Sequence, residues 1–343
     1  MILKKLLVIL IFLTIGSNTM ATPEIEKKLF TELAAGYGKS TTASNKAIAA
    51  AYKAAADAIV IPPAVVTPPV VTPPVVTPPT NSAWPKDVTA NPTGSKKPMA
   101  SVVGDLVTQK DGDLIDAKNV TGKIIVKHNN VKITNFVTTG VWKDTGKTGL
   151  IMEDGKIDGQ NVVENSVQWS EYTLRRVEVT RTIDGCKGHG NVVIEDSWLH
   201  DNTFATGAGT GAGGYTHGDG LQVSSGNNVV FQRNRVENWR GNSGVFVDPD
   251  QGTIANVTIA GNFFSNVGNY PIFIKESASN PSTGLPSNVK VTDNVIGARR
   301  TDTPADWGPM LCECRASGLI FTGNKTADGK EIKLGTDGKG YIV

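Results

Sequence analysis

Between residues 130 and 324 the chain repeats one short phrase: a polar residue, an alternating apolar strand, then a turn. The clearest copies are Asn130-Val131-Lys132-Ile133, Asn191-Val192-Val193-Ile194, Asn228-Val229-Val230-Phe231, Asn256-Val257-Thr258-Ile259 and Asn288-Val289-Lys290-Val291. Looser copies start at Leu150, Thr173 and Leu319. Most are followed by Asn or Asp two residues after the strand, at Asn135, Asp196, Asn234, Asn262, Asn294 and Asn324. A unit recurring about every 20–30 residues cannot bury its apolar face alone, so copies stack into a solenoid.

The spacing selects among solenoids. Val131 to Leu150 is 19 residues, Thr173 to Val192 is 19, and Val192 to Val229 is 37. A constant core phrase with variable spacing means coils with insertions at chosen corners. A β-propeller needs four strands in each repeat of about 40–50 residues, and leucine-rich repeats need a leucine framework that is absent here. The expectation is an all-β chain, a single-stranded right-handed parallel β-helix, spanning residues 84–343. Within it, Asp111 to Asn119 reads as polar and turn-rich, with Lys123 to Val126 as the opening strand. Composition agrees: 37 glycines and only 6% aromatics suit a turn-rich β protein. A net charge of +2, with no Lys/Arg cluster, argues against a nucleic-acid partner.

Three segments precede this domain. Residues 1–21 read as a signal peptide: Lys4 and Lys5, an apolar core from Leu6 to Ile15, then small residues ending at Ala21. The apolar run is shorter than the ~20 residues a membrane span needs, so a secreted, periplasmic or cell-surface protein is expected, with no transmembrane segment after cleavage. Residues 22–60 read as a helical N-terminal segment, with Ile48, Tyr52 and Ala56 on one stripe. It buries little apolar area alone and is a candidate for homo-oligomer formation. Residues 61–83 are a linker in which Val-Val-Thr-Pro-Pro recurs from Val65, Val70 and Val75, favouring stiff polyproline II. Cys186, Cys312 and Cys314 are too few and too poorly spaced for a disulfide framework. Cys186 reads as a buried small apolar residue.

The 37-residue interval holds the largest insertion, Thr203 to His217, glycine-rich and without apolar periodicity. It reads as a surface loop leading into His217-Gly218-Asp219-Gly220-Leu221-Gln222-Val223, and loops on a rigid scaffold are common seats of function. Gly218 and Gly220 allow a tight turn or a close approach to a ligand. Residues 219–224, 243–248 and 270–275 align as stacked strands, with residues 184–187 in the coil before. If Leu221, Val223, Val245, Val247, Ile272 and Ile274 fill the core, then Gln222, Phe246 and Phe273 form one outward column, and Ser224, Asp248 and Lys275 a second. His217, Asp219, Asp250 and Glu276 fall at the edges.

Such a surface has the makings of a polysaccharide groove. Phe246, Trp239, Tyr270 and Phe273 suit sugar faces, while Gln222, Lys187 and Glu276 suit hydroxyls and carboxylates. Asp219 with Asp248, one rung apart, is a candidate carboxylate pair at the ~5–9.5 Å used by glycosidases. A lyase instead needs a base beside a uronate carboxylate and a cation to stabilise developing charge. Lys187, His217 and Lys275 suit those roles, and Asp219, Asp248 and Asp250 form a candidate calcium site. The plainer reading is that Asp and Asn at strand ends cap turns. His189, in Gly188-His189-Gly190, reads as a turn residue, and His200-Asp201 is open between the two readings.

On these residues the chain resembles the pectate-lyase-like superfamily of right-handed β-helices over roughly residues 100–330. It is similar to secreted members with a His-x-Asp-Gly-[Ile/Leu]-Gln signature, here His217 to Gln222. The resemblance implies carbohydrate chemistry, since such proteins include pectate and alginate lyases, polygalacturonases, epimerases and phage tailspikes. Gly188-His189-Gly190 and Ile274-Lys275 are similar to fragments of the polygalacturonase pattern. The paired Asp-Asp of that pattern and an Arg two residues before Lys275 are missing, so its mechanism does not carry over. The expected function is an exported protein that cleaves an acidic polysaccharide, as a lyase in preference to a hydrolase, with His217, Asp219, Asp248 and Lys275 as catalytic residues. The alternative is a non-catalytic glycan-binding or structural surface protein, such as an adhesin or a phage spike or decoration protein.

Overall fold

The computed structural model describes residues 31–32, 35, 43–58, 93–207, 214–275, 284–298, 308–313 and 318–343. The expected signal peptide, the whole of the expected linker, Trp84, Glu276 and Cys314 lie outside them. In the N-terminal unit, helix α1 spans Ala43–Ala58. It carries an exposed i,i+4 pair, Lys53 Nζ to Asp57 Oδ2, at 2.6 Å, and Ile48 and Tyr52 are half-buried on one side. No helix among the described residues is long and apolar enough to cross a membrane.

The larger unit is a parallel β-helix with three strand-bearing faces. Face I stacks Lys132, Ile151, Thr173, Val193, Val230, Thr258, Lys290 and Ile320 in one register column. Face II stacks Lys156, Glu178, Trp198, Arg235, Phe263, Val295 and Lys325. Face III runs from Leu106–Val107 through Ile124–Val126 and Val141–Lys143 to Asp219–Val223, Ser243–Val247, Tyr270–Ile274 and Met310–Cys312. The repeated phrase is the face I strand of each coil. Its alternation buries Val131, Ile133, Val192, Ile194, Val229, Phe231, Val257, Ile259, Val289 and Val291. An antiparallel hairpin, Ile332–Leu334 with Gly340–Ile342, follows the last coil.

One local expectation is corrected. The stretch from Asp111 to Asn119 is not simply a turn: Leu114–Val120 is a strand paired with Lys132–Thr138. Its polar residues face outward while Ile115 and Val120 enter the core. Stacking on the next coil supplies the backbone partners that local propensity does not.

The asparagines do two different jobs. Asn130, Asn191, Asn228, Asn256 and Asn288 open face I strands with φ between 49° and 62°, the left-handed region that Asn tolerates best after Gly. Their exposed amides stack, as in Asn228 Nδ2 donating to Asn191 Oδ1 at 3.0 Å. At the corner between faces I and II, Asn234, Asn262, Asn294 and Asn324 are fully buried. Each donates its amide to the strand just below, and each carbonyl accepts the backbone N–H of the preceding ladder member. Asn262 Nδ2 to Phe231 O is 2.9 Å, and Asn234 N to Asn262 Oδ1 is 2.8 Å. Ser197 starts the row by donating its N–H to Asn234 Oδ1 at 3.0 Å. Asn135 and Asp196 are instead left-handed corner residues, with φ of 49° and 50°.

Charge is arranged in rungs as well. Arg175 bridges Glu153 and Glu195, and Arg233 bridges Glu195 and Asp196, all at 2.5–2.7 Å. These pairs set opposite charges against one another on successive rungs, ~4.8 Å apart, at the end of face I. Cys186 is buried and free, and burial pushes its thiol up to about 12. Cys312 is buried on face III.

Candidate functional site

Face III carries the expected columns in the expected register. Gln222, Phe246 and Phe273 lie opposite one another, and Leu221, Val223, Val245, Val247, Ile272 and Ile274 are fully buried beneath them. The column is longer than the three coils aligned from sequence. Lys187 precedes Gln222 and Leu311 follows Phe273. In the other direction Val167 pairs with Cys186 and Val141 with Val167, which brings Gln168 beside Lys187 and Trp142 beside Gln168. Ile125 stands opposite Trp142. The outward row therefore reads Ile125, Trp142, Gln168, Lys187, Gln222, Phe246, Phe273, Leu311. Beside it runs Ser224, Asp248, Lys275 and Glu313, tied by backbone bonds Asp248 N to Val223 O, Lys275 N to Val247 O and Glu313 N to Ile274 O.

Two polar clusters sit on this face. Lys187 Nζ is 2.5 Å from Asp184 Oδ2 and also donates to Gln222 Oε1. Lys275 Nζ is 2.8 Å from Asp248 Oδ2 and 5.5 Å from the centroid of the Phe246 ring. Phe273 packs between Phe246 and Tyr270, with centroids 5.1 Å away in each case.

The proposed catalytic quartet is not assembled. Asp219 is 1% exposed, because it shares strand parity with Leu221 and Val223. Its Oδ1 accepts from Ser243 Oγ at 2.6 Å and Asn242 Nδ2 at 3.1 Å, and its backbone N–H donates to Asp184 Oδ1 at 2.8 Å. Burial, then the neighbouring Asp184 carboxylate, push its carboxyl well above the usual range. A buried carboxyl held toward its neutral form is not a solvent-side base. Asp248 stands opposite Ser224, five residues along the strand from Asp219, or roughly 16 Å at ~3.3 Å per residue. That is too far for a carboxylate pair or a shared cation. Among the described residues, no three His, Cys, Asp or Glu side chains converge to hold a metal ion.

His217 is exposed at the far edge of face III. The insertion that delivers it forms a hairpin at its base, with Thr206 bridged to Tyr215 and Gly207 N donating to Gly214 O at 2.9 Å. The Tyr215 ring lies 5.1 Å from His217, and the Arg240 guanidinium lies 4.1 Å over Phe204. Trp239 is fully buried, with an indole N–H lacking a hydrogen-bond partner among the described residues, so it offers no sugar face. Tyr270, 4% exposed, is likewise covered. His200 belongs to face II, stacked on Trp198 at 3.6 Å and bonded to Glu178 and Asp201. His189 lies at the corner between faces III and I, with Nδ1 3.3 Å from Ser225 Oγ.

Sequence reasoning missed Trp142, Gln168 and Trp169. The first two continue the outward row, and Trp169 follows directly on Gln168. The alternation Val141-Trp142-Lys143 was the available signal for Trp142.

Asp248 is the unusual group. Its carboxylate is 2% exposed and its Oδ1 has no hydrogen-bond partner among the described residues. Burial outweighs the Lys275 contact and raises its pKa from 3.8 to about 6. A folded-state pKa above the unfolded one means that stability falls as pH rises from about 4 to about 6 and is flat above. Asp248→Asn removes that fall. Urea denaturation should show it stabilised by about 1–3 kcal/mol at pH 8, the order of a two-unit shift in which the Lys275 contact is already counted, with no gain near pH 4. An equal effect at both pH values would refute this assignment.

No protein-family model, no curated protein and no solved structure matches this chain.

Proposed function

We propose that this chain is a glycan-binding β-helix that holds an extended sugar chain along the outward row of face III. The observation that carries the reading is the row itself, in which Gln168, Lys187 and Gln222 lie at the ~4.8 Å strand spacing between the exposed Trp142 ring at one end and the half-buried Phe273 ring, backed by the buried Phe246, at the other. Amides and lysine serve hydroxyls, and rings serve the apolar faces of sugars. Lys187 and Lys275 are already paired with Asp184 and Asp248. Ring and hydroxyl contacts should therefore outweigh charge, and an acidic polysaccharide is favoured less than the lysines alone suggest.

The likeness to the pectate-lyase-like superfamily supports a carbohydrate ligand, although a shared fold does not carry an activity. The N-terminal Lys4-Lys5 and the apolar run after them support export to where such glycans lie. A second reading, cleavage, rests on Asp248 alone, whose raised pKa suits proton transfer near neutral pH but whose 2% exposure leaves it, like Asp219, beneath the surface.

A glycan array spanning neutral and uronate polymers tests the first reading. Binding should weaken about tenfold in Phe273→Ala, the loss of one ring and its buried contacts. A silent array would remove the reading. Release of unsaturated or reducing ends by the wild type, abolished in Asp248→Asn, would establish cleavage.

A further inference from the structure

We propose that Trp142 and Trp169 form a second pair of sugar-stacking subsites, extending the binding row toward the N-terminal coils. This rests on the glycan reading above and adds residues to it. Of the tryptophans described, Trp142 and Trp169 are the exposed ones, at 39% and 41%, whereas Trp239 is at 0%. Trp142 belongs to the outward row itself, beside Gln168. Lys123 Nζ lies 3.4 Å from the centroid of its ring, a cation–π contact that holds the indole in place.

Trp169 is placed at a conformational cost. Its φ is 72°, a left-handed backbone that bulky residues avoid. Two residues later Glu171 is also left-handed, and the same two-residue spacing recurs at Gly226 and Asn228, with φ of 94° and 62°. Register confirms the equivalence, since Tyr172, Val192 and Val229 stack. The later coil thus fills with glycine the position where this coil carries tryptophan. Strain of this kind is an observed outlier, and outliers cluster at binding sites. The ring is also fixed, edge-on to His189 with centroids 4.9 Å apart.

From Trp142 to Phe273 the row spans five rung steps, about 24 Å, the reach of roughly four to five linked pyranose rings. Aromatic rings stand at both ends, with Gln168, Lys187 and Gln222 between. The geometry predicts affinity that grows with oligosaccharide length as the second aromatic end is reached.

Calorimetric titration of the full chain with cello-oligosaccharides and oligogalacturonides, from disaccharide to hexasaccharide, tests this. Wild type should gain affinity beyond the trisaccharide. Trp142→Ala and Trp169→Gly should each lose about three- to tenfold for the hexasaccharide while keeping short-oligosaccharide affinity. Phe273→Ala should weaken both. Trp169→Gly should melt no lower than wild type, because glycine relieves the backbone. Hexasaccharide affinity unchanged in both tryptophan variants, with wild type binding, would overturn this inference alone. A wild type that binds no oligosaccharide would overturn the glycan reading with it.

Discussion

Asn262→Ala is expected to lower the unfolding free energy by about 3–5 kcal/mol, among the largest effects of any single side chain in this fold. The side chain is completely buried and makes three bonds: Nδ2 to Phe231 O and to Asn294 Oδ1, both at 2.9 Å, and Oδ1 from Asn234 N at 2.8 Å. Alanine supplies none of them. The Phe231 carbonyl and the Asn234 N–H, both buried on the preceding coil, lose their partners together, at about 1–3 kcal/mol each. The deleted amide leaves space as well. Each solenoid coil contacts mainly its neighbours, so the break should be felt at the interface between the Asn234 and Asn262 coils. Denaturant titration measures the total, and hydrogen exchange at the Asn234 amide localises it. The exposed ladder is the control. Asn256→Gly sits at φ of 56° on the surface and should change stability by less than about 1 kcal/mol. A loss under about 1 kcal/mol for Asn262→Ala, with Asn234 still protected, would show the buried ladder to be incidental.

The two asparagine columns illustrate what was legible in the sequence. Both recur with the strand phrase, and their recurrence alone points to a solenoid. Their roles do not follow from recurrence. One column is exposed and chosen for its left-handed backbone; the other is buried and chosen for its amide. Only stacking separates them. The face III columns were legible because alternation is local: once Leu221 and Val223 face inward, Gln222 faces outward. The same rule applied to Asp219 puts it with the core, but its place at the strand start, after a glycine-rich insertion, made it read as an edge residue. The Asp219–Asp248 pairing failed on a different scale. One rung is ~4.8 Å, but each residue along the strand adds ~3.3 Å, and five residues of offset dominate the distance. Trp142 lay beyond the three coils that align by eye. Its place in the row depends on the register through Val167 and Cys186, which residue types do not announce.

Gly220→Ala should be comparably damaging, at about 3–5 kcal/mol, though the new methyl is small and apolar. In the sequence Gly220 reads as a turn-former or a place for a ligand to approach. It is neither, but the second residue of the strand Asp219–Val223. A Cβ there would sit 2.5 Å from Gly244 O. The relation repeats along the face: a Cβ on Gly185 would sit 2.2 Å from Gly220 O, and one on Gly244 would sit 2.7 Å from Pro271 O. Each glycine is the clearance for the carbonyl of the next coil. Backbone cannot rotate away as a side chain can, so Gly220→Ala must push the Asp219 and Ser243 strands apart. The buried bond from Ser243 Oγ to Asp219 Oδ1, at 2.6 Å, lies beside that displacement. The outward neighbours Gln222 and Phe246, two residues on, sit on the same two strands. Stability and glycan affinity should therefore fall together in Gly220→Ala. Gly112→Ala, where nothing lies within 4 Å of the added carbon, should cost only the left-handed strain of about 1–2 kcal/mol and leave affinity intact. Equal losses in the two variants would mean that general glycine strain, and not the clearance between coils, sets the cost. That would also break the link between the glycine row and the binding face.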